Sequence, residues 1–272
     1  PPVLACGGEL KSTFCLLRGR SAIPSQHLGD LDDAAAEAAY RDTLARYLAL
    51  FDHRPAVVAV DAHPDYLAAA VGRERALASG ARIVEVQHHH AHVAACLADN
   101  GVALDAPPVL GLALDGTGHG DDGTVWGGEL LLADYRGYRR LASLAPVPLP
   151  GGDAAVREPW RMACAHLRAT GDWARLAARH GALPFFRGLA DRPLGVVQRM
   201  MDAGFNSPPT TSCGRLFDAA AALTGVCAEA DYEGRAAAEL EALVDPAGGE
   251  PGYGFALATR AGLPRLDPAP VW

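Results

Sequence analysis

Between residues 56 and 115 the chain repeats one pattern, a short apolar run followed by an amphipathic stretch. Ala56 to Val60 reads as a buried strand ending on Asp61, and Asp65 to Ala78 has helical spacing. Arg82 to Val86 is a second strand, His88 to Asp99 a second helix stopped by Asn100-Gly101, and Pro108 to Leu114 a fully apolar strand ending on Asp115. Strands alternating with helices of crossover length restrict the chain to an α/β architecture. Upstream, Val3 to Cys6 and Thr13 to Leu17 predict two strands around a Gly7-Gly8 turn, and Asp32 to Phe51 a helix with an acidic first turn. Downstream, Val125 to Ala133 and Tyr138 to Val147 alternate like antiparallel strands.

After Pro148-Leu149-Pro150-Gly151-Gly152 the pattern becomes mostly helical: Glu158 to Ala169, Trp173 to His180, Leu194 to Phe205, Leu216 to Leu223 and Gly234 to Val244. Strand character returns at Tyr253 to Ala258. The expectation is a two-lobed α/β protein, residues 1–148 forming the first lobe and 149–272 a helix-rich second, with a cleft between.

A formal charge of −8 leaves no basic footprint for nucleic acid. No apolar run approaches a membrane span. The six cysteines are scattered without CxxC spacing, which fits reduced thiols in a cytoplasmic protein. Cys15, Cys96 and Cys164 read as small buried apolar residues. Of 24 basic residues only Lys11 is lysine, which suggests a place where a guanidinium would not serve.

Four of the five residues from 88 to 92 are histidine, at the start of a helix. His88 and His92 stand four apart, so both imidazoles can face one side and share a metal. Position 89 is His, not Glu, so the HExxH protease pattern fails. Asp115 ends a buried strand and is followed by Gly116, Thr117, Gly118, Gly120 and Gly123, whose backbone suits a phosphate or a metal. With His88 and His92 it forms a 2-His-1-carboxylate set suited to Fe(II) or Zn(II). The bland alternative for this stretch is a Gly/Asp hairpin turn. CGGELK at 6–11 could bring backbone amides and the Lys11 ammonium to a phosphate or carbonyl oxygen. Thr211 or Ser212 caps a helix whose first turns hold Gly214, Arg215 and Asp218, a reasonable nucleotide contact that is equally an ordinary capped helix. Asp61-Ala62-His63-Pro64 closes a strand and could line the cleft, while His53, His166 and His180 read as surface or packing residues.

The stretches GGELKSTFCL, SQHLGDL, VAVDAHPDYL, VQHHHAHVAAC, LDGTGHGDDGTVWGGE and TSCGRLFDAAAALTG, in this order through residues 4–225, resemble the carboxyl-terminal domain of the HypF family of hydrogenase-maturation proteins. The resemblance implies an actin- and hexokinase-like (ASKHA) fold. It implies that upstream acylphosphatase-like and YrdC-like domains of the full-length chain convert carbamoyl phosphate and ATP to carbamoyl-adenylate. The domain resembled passes the carbamoyl group to the C-terminal cysteine thiol of HypE, for the cyanide ligands of [NiFe]-hydrogenase. By motif position, His88, His92 and Asp115 would ligate the metal, Fe2+ or Zn2+, with Mg2+ a further possible ion. Lys11, Gly7, Gly8, Gly116, Thr117 and Gly118 would surround the phosphate and carbamoyl groups, and Gly214, Arg215 and Asp218 the adenosine. The family's SGGxxxN-like segment, and its DGG segment with a further metal-ligating Asp, do not occur before Trp272. The second lobe is therefore expected to be incomplete, loosely held after about residue 245, and the metal short of one carboxylate. Two rivals remain: a small-molecule O-carbamoyltransferase or kinase-like enzyme of the same fold, and an inert fragment that binds only nucleotide or a partner.

Overall fold

In the computed structural model, which describes every residue except 246, 250, 251 and 261, the apolar runs of the first ninety residues become one sheet. Its strands are β1 (Val3–Ala5), β2 (Cys15–Arg18), β3 (Ser21–Pro24), β4 (Val57–Asp61) and β5 (Arg82–Val86), in the order β3-β2-β1-β4-β5. β1 pairs antiparallel with β2 but parallel with β4, and β4 parallel with β5, which aligns Asp61 with Val86. The parallel connections need crossovers, supplied by α1 (Ala34–Leu50) and α2 (Leu67–Ser79). Asp33 caps α1 by accepting from the amides of Ala35 and Ala36, each at 2.8 Å. The N-cap residue of α2, Tyr66, makes no side-chain capping bond. The Glu9 carboxylate accepts the Leu67 amide at 2.8 Å instead. Leu4, Phe14, Leu16, Tyr40, Leu44, Val58 and Val60 fill the core beneath.

The chain forms two compact units, Pro1–His92 and Val93–Trp272, dividing within α3 (His88–Asp99). Position 148, where the sequence turns helical, lies inside the second. That unit holds a seven-stranded sheet. The antiparallel run β6 (Val109–His119), β7 (Val125–Ala133) and β8 (Tyr138–Leu144) is joined by β9 (Val147–Pro148), β10 (Pro209–Thr210), β11 (Ala256–Arg260) and β12 (Leu263–Asp267). The remaining helices are α4 (Asp153–Arg157), α5 (Pro159–Ala169), α6 (Trp173–His180), α7 (Pro184–Gly188), α8 (Leu194–Ala203), α9 (Cys213–Leu223) and α10 (Arg235–Glu241). Trp160, Met162, Phe185, Val197 and Ala219 form their shared core. No helix among the described residues is long and apolar enough to cross a membrane.

Several expectations shift. The returning strand begins at Cys15, and a third strand, β3, follows it. β6 continues through the Gly-rich stretch to His119, and the turn comes at Gly120–Thr124. The single late strand expected at Tyr253 to Ala258 is a hairpin of β11 and β12. Cys164 is buried as expected, Cys15 only half-buried, and Cys96 exposed. Val93 and Leu97 take the inward face of α3, which turns position 96 outward.

Candidate functional site

In the first unit, Gly8, Asp61, His88 and His92 come together at the carboxyl ends of β4 and β5. Gly7 has φ 75°, and a Cβ there would lie 2.0 Å from the Thr13 carbonyl oxygen, so the loop can close only around glycine. Lys11 sits at φ 49°, unusual for a residue with a side chain, and its amide donates to the Asp30 carboxylate at 2.6 Å. The same loop passes the helix that bears the histidines: a Cβ on Gly8 would lie 3.7 Å from Cε1 of His88.

The histidine run separates by helix face. His89 is fully buried, its Nδ1 3.0 Å from Gln87 Nε2, and the Gln87 oxygen accepts the His90 amide at 2.9 Å. His88 and His92 face one another, with their Nε2 atoms 3.2 Å apart. The opposite nitrogen of His88, Nδ1, lies 2.7 Å from Asp61 Oδ2. The other oxygen of Asp61 accepts the His63 amide at 2.8 Å. Burial acts to raise the Asp61 pKa, but the hydrogen bonds from His88 and the His63 amide outweigh it and leave the carboxyl lowered. Two converging imidazole nitrogens, one backed by a carboxylate, are a fitting start for a divalent cation site.

In the second unit, the ladder between β6 and β7 slips between Leu114 and Gly118, so Asp115, Gly116 and Thr117 form a bulge. The Asp115 carboxylate accepts the Gly116 amide at 2.6 Å. The start of α9 presses against this bulge. Ser212 Oγ donates to the Asp115 carbonyl at 3.0 Å and accepts the Arg215 amide at 3.1 Å. A Cβ on Gly214 would come within 2.8 Å of the Gly116 Cα, so only glycine permits this approach. Asp218 and Arg215 are both buried and paired with each other; burial raises the Asp218 pKa against the guanidinium's pull. Asp218 is thus engaged within the fold rather than standing open.

Sequence reading missed the support under this bulge. Glu129, fully buried in β7, accepts from Arg140 Nε at 2.6 Å and from the Thr211 hydroxyl. Arg140 lies 4.0 Å over the Trp126 ring and also reaches Asp122 at 2.8 Å. A lone Glu inside the apolar run VWGGELLLA was the available signal, since a buried carboxylate requires a partner.

Residues 1–99 match the family described as the HypF Kae1-like domain, and residues 111–272 that described as the carbamoyltransferase Kae1-like domain, second subdomain. Carbamoyltransferase HypF of Rhodobacter capsulatus is 44% identical over 278 residues, covering 100% of this chain and 35% of that protein. Carbamoyltransferase HypF2 of Cupriavidus necator is 46% identical over 254 residues, covering 93% of this chain and 30% of that protein. The chain therefore spans about a third of the length of these relatives. A crystal structure of full-length HypF in a phosphate- and nucleotide-bound form superposes with a TM-score of 0.84 at 36% identity, over 98% of this chain and 33% of that one. HypF of T. kodakarensis gives 0.82 at 28% identity, over 97% and 35%. The fold is thus the Kae1-like, ASKHA-type one expected from the sequence.

Proposed function

Because the chain belongs to the HypF carbamoyltransferase family, we propose that it transfers a carbamoyl group from carbamoyl-adenylate to the C-terminal cysteine thiol of HypE, the new S–C bond replacing the bond to AMP, which leaves as the thiol gives up its proton. This step serves the cyanide ligands of [NiFe]-hydrogenase. In the full-length protein, YrdC-like and acylphosphatase-like domains upstream would supply the carbamoyl-adenylate from carbamoyl phosphate and ATP. The compartment would be the cytoplasm, where the acceptor thiol stays reduced.

The observation that carries this reading is the facing pair of His88 and His92, with Nε2 atoms 3.2 Å apart. By motif position, His88, His92 and Asp115 would together supply two imidazole nitrogens and a carboxylate oxygen, a donor set for Fe2+ or Zn2+. When bound, such an ion supplies Lewis acidity toward a carbonyl or phosphate oxygen. Lys11 would steady developing charge on the carbamoyl or phosphate oxygens, and the amides of Gly7, Gly8, Gly116, Thr117 and Gly118 would cradle them. The start of α9 would meet the adenosine through Gly214 and Arg215, with Asp218 holding Arg215 in place. Mg2+ would accompany the nucleotide. The attacking sulfur would come from the acceptor; within this chain, burial pushes the Cys6 thiol up to about 11 and the Cys164 thiol to about 12, which sets these two far from the thiolate form.

The test incubates this chain with labelled carbamoyl-adenylate and HypE. Label is expected on wild-type HypE and not on a HypE lacking its C-terminal cysteine. Transfer to small hydroxyl compounds but not to HypE would favour the O-carbamoyltransferase alternative. Nucleotide binding without any transfer would favour the inert fragment.

A further inference from the structure

We infer that Asp61 is a positioning residue for the metal ligand His88: it fixes the imidazole's tautomer and aim, so that Nε2 is the nitrogen presented to a divalent cation. The inference rests on the proposed metal role of His88 and His92 and extends it to a residue outside the ligand set.

The fold creates the contact. β4 and β5 run parallel with Asp61 level with Val86, and His88 opens α3 two residues further on. The carboxylate at the end of one strand thus meets the imidazole that follows its neighbour. Asp61 has almost no freedom to turn away, because Oδ1 accepts the His63 amide at 2.8 Å while Oδ2 meets His88 Nδ1 at 2.7 Å. Its side chain is only 8% exposed, so water competes little for either oxygen. An ionised carboxylate can only accept. His88 Nδ1 must therefore carry the proton, and Nε2, the atom facing His92, keeps its lone pair. A carboxylate behind a ligating imidazole also raises its basicity and holds its plane, and loss of such a partner typically costs about 10–100-fold in metal affinity.

The informative variant is Asp61→Asn, which keeps the shape. An amide has one acceptor and one donor end. With its oxygen on the His63 amide, its NH2 would face His88 Nδ1 and favour the opposite tautomer, with the proton on Nε2. Zinc titration would compare the parent chain, Asp61→Asn, Asp61→Ala and His88→Ala/His92→Ala, at a pH well above the ordinary imidazole value of about 6.5. Nitrogen NMR of the metal-free proteins would report the His88 tautomer directly. The expected result is a proton on Nδ1 in the parent, a shift toward Nε2 in Asp61→Asn, and zinc affinity lower by about 10–100-fold in both Asp61 variants. The inference is overturned if the parent already carries the proton on Nε2. It is overturned equally if Asp61→Asn binds zinc within about twofold of the parent while the double histidine variant loses it. Zinc binding unchanged in the double histidine variant would instead sink the metal reading and this inference with it. The parent tautomer needs no variant to fold.

Discussion

Lys11 combines two properties that seldom meet by chance. It is the only lysine among 24 basic residues, and it holds a left-handed backbone at φ 49°. A side chain in that region costs about 1–2 kcal/mol, and glycine would relieve it. The proposed role explains why lysine stays: a compact ammonium is wanted at that point of the loop. Two substitutions separate the explanations. Lys11→Gly should leave stability unchanged or raise it by up to about 1 kcal/mol in urea unfolding, yet reduce carbamoyl transfer by about 10²-fold or more. Lys11→Arg keeps the charge and the strain, and should still slow transfer by about tenfold or more, because a planar fork does not replace a point charge. Normal transfer by both variants would remove Lys11 from the site.

At the level of elements, the contact between α9 and the 115–117 bulge poses a contest of magnitudes. Alanine is favoured over glycine inside a helix by about 1 kcal/mol. At position 214 the added Cβ would meet the Gly116 Cα at 2.8 Å, backbone against backbone, and overpacking of that kind costs about 1–3 kcal/mol. The clash wins, so Gly214→Ala should lower stability by about 1 kcal/mol or more and weaken nucleotide binding, since the bulge must retreat. In α8, a Cβ on Gly195 would meet nothing nearer than the end of the Arg199 side chain at 3.6 Å, and thermal melts of both variants should show Gly195→Ala neutral or stabilising. A Gly214→Ala protein as stable as its parent, with unchanged nucleotide affinity, would refute the close approach. This contact also marks the limit of sequence reading. The i, i+4 histidines, the Asp61 carboxylate at the end of β4 and the Ser212 cap are local patterns, and each is legible in the sequence. The sequence ends this strand on Asp115 because glycine weakens a strand locally, whereas pairing along β7 carries β6 through to His119. β3 escaped notice because SAIP is short, ends on proline and lies at the sheet's edge, where little burial marks it. The ion pair of Arg215 with Asp218 and the links from Glu129 to Arg140 and Thr211 depend on which charged groups the fold buries, and sequence spacing alone did not disclose that.

Across the whole molecule, each unit has its own core, and acid should expose the difference. His166 lies in the second unit's core, and neither ring nitrogen has a hydrogen-bond partner among the described residues. Burial alone pulls its pKa from 6.5 down to about 4. The folded state therefore holds a neutral imidazole where the unfolded chain would take up a proton. Between those values the unfolded state binds more protons, so stability is complete above about pH 6.5 and is lost progressively as pH falls toward about 4. The gap of about 2.5 pH units, at about 1.4 kcal/mol each, corresponds to roughly 3 kcal/mol. Asp122, held down to about 2, adds its own loss mainly below this window, and Asp218, raised by burial, works in the opposite sense near its lower edge. A comparison of the parent with His166→Leu cancels both. All four tryptophans, Trp126, Trp160, Trp173 and Trp272, belong to the second unit, so their fluorescence reports its unfolding and not that of residues 1–92. Urea unfolding followed by tryptophan emission should show the parent losing roughly 3 kcal/mol between pH 6.5 and 4, with most of that slope gone in His166→Leu. Equal slopes in the two proteins, or an imidazole titrating near 6.5 by NMR, would show that water reaches His166 through the cavity it lines with Val147 and Trp272.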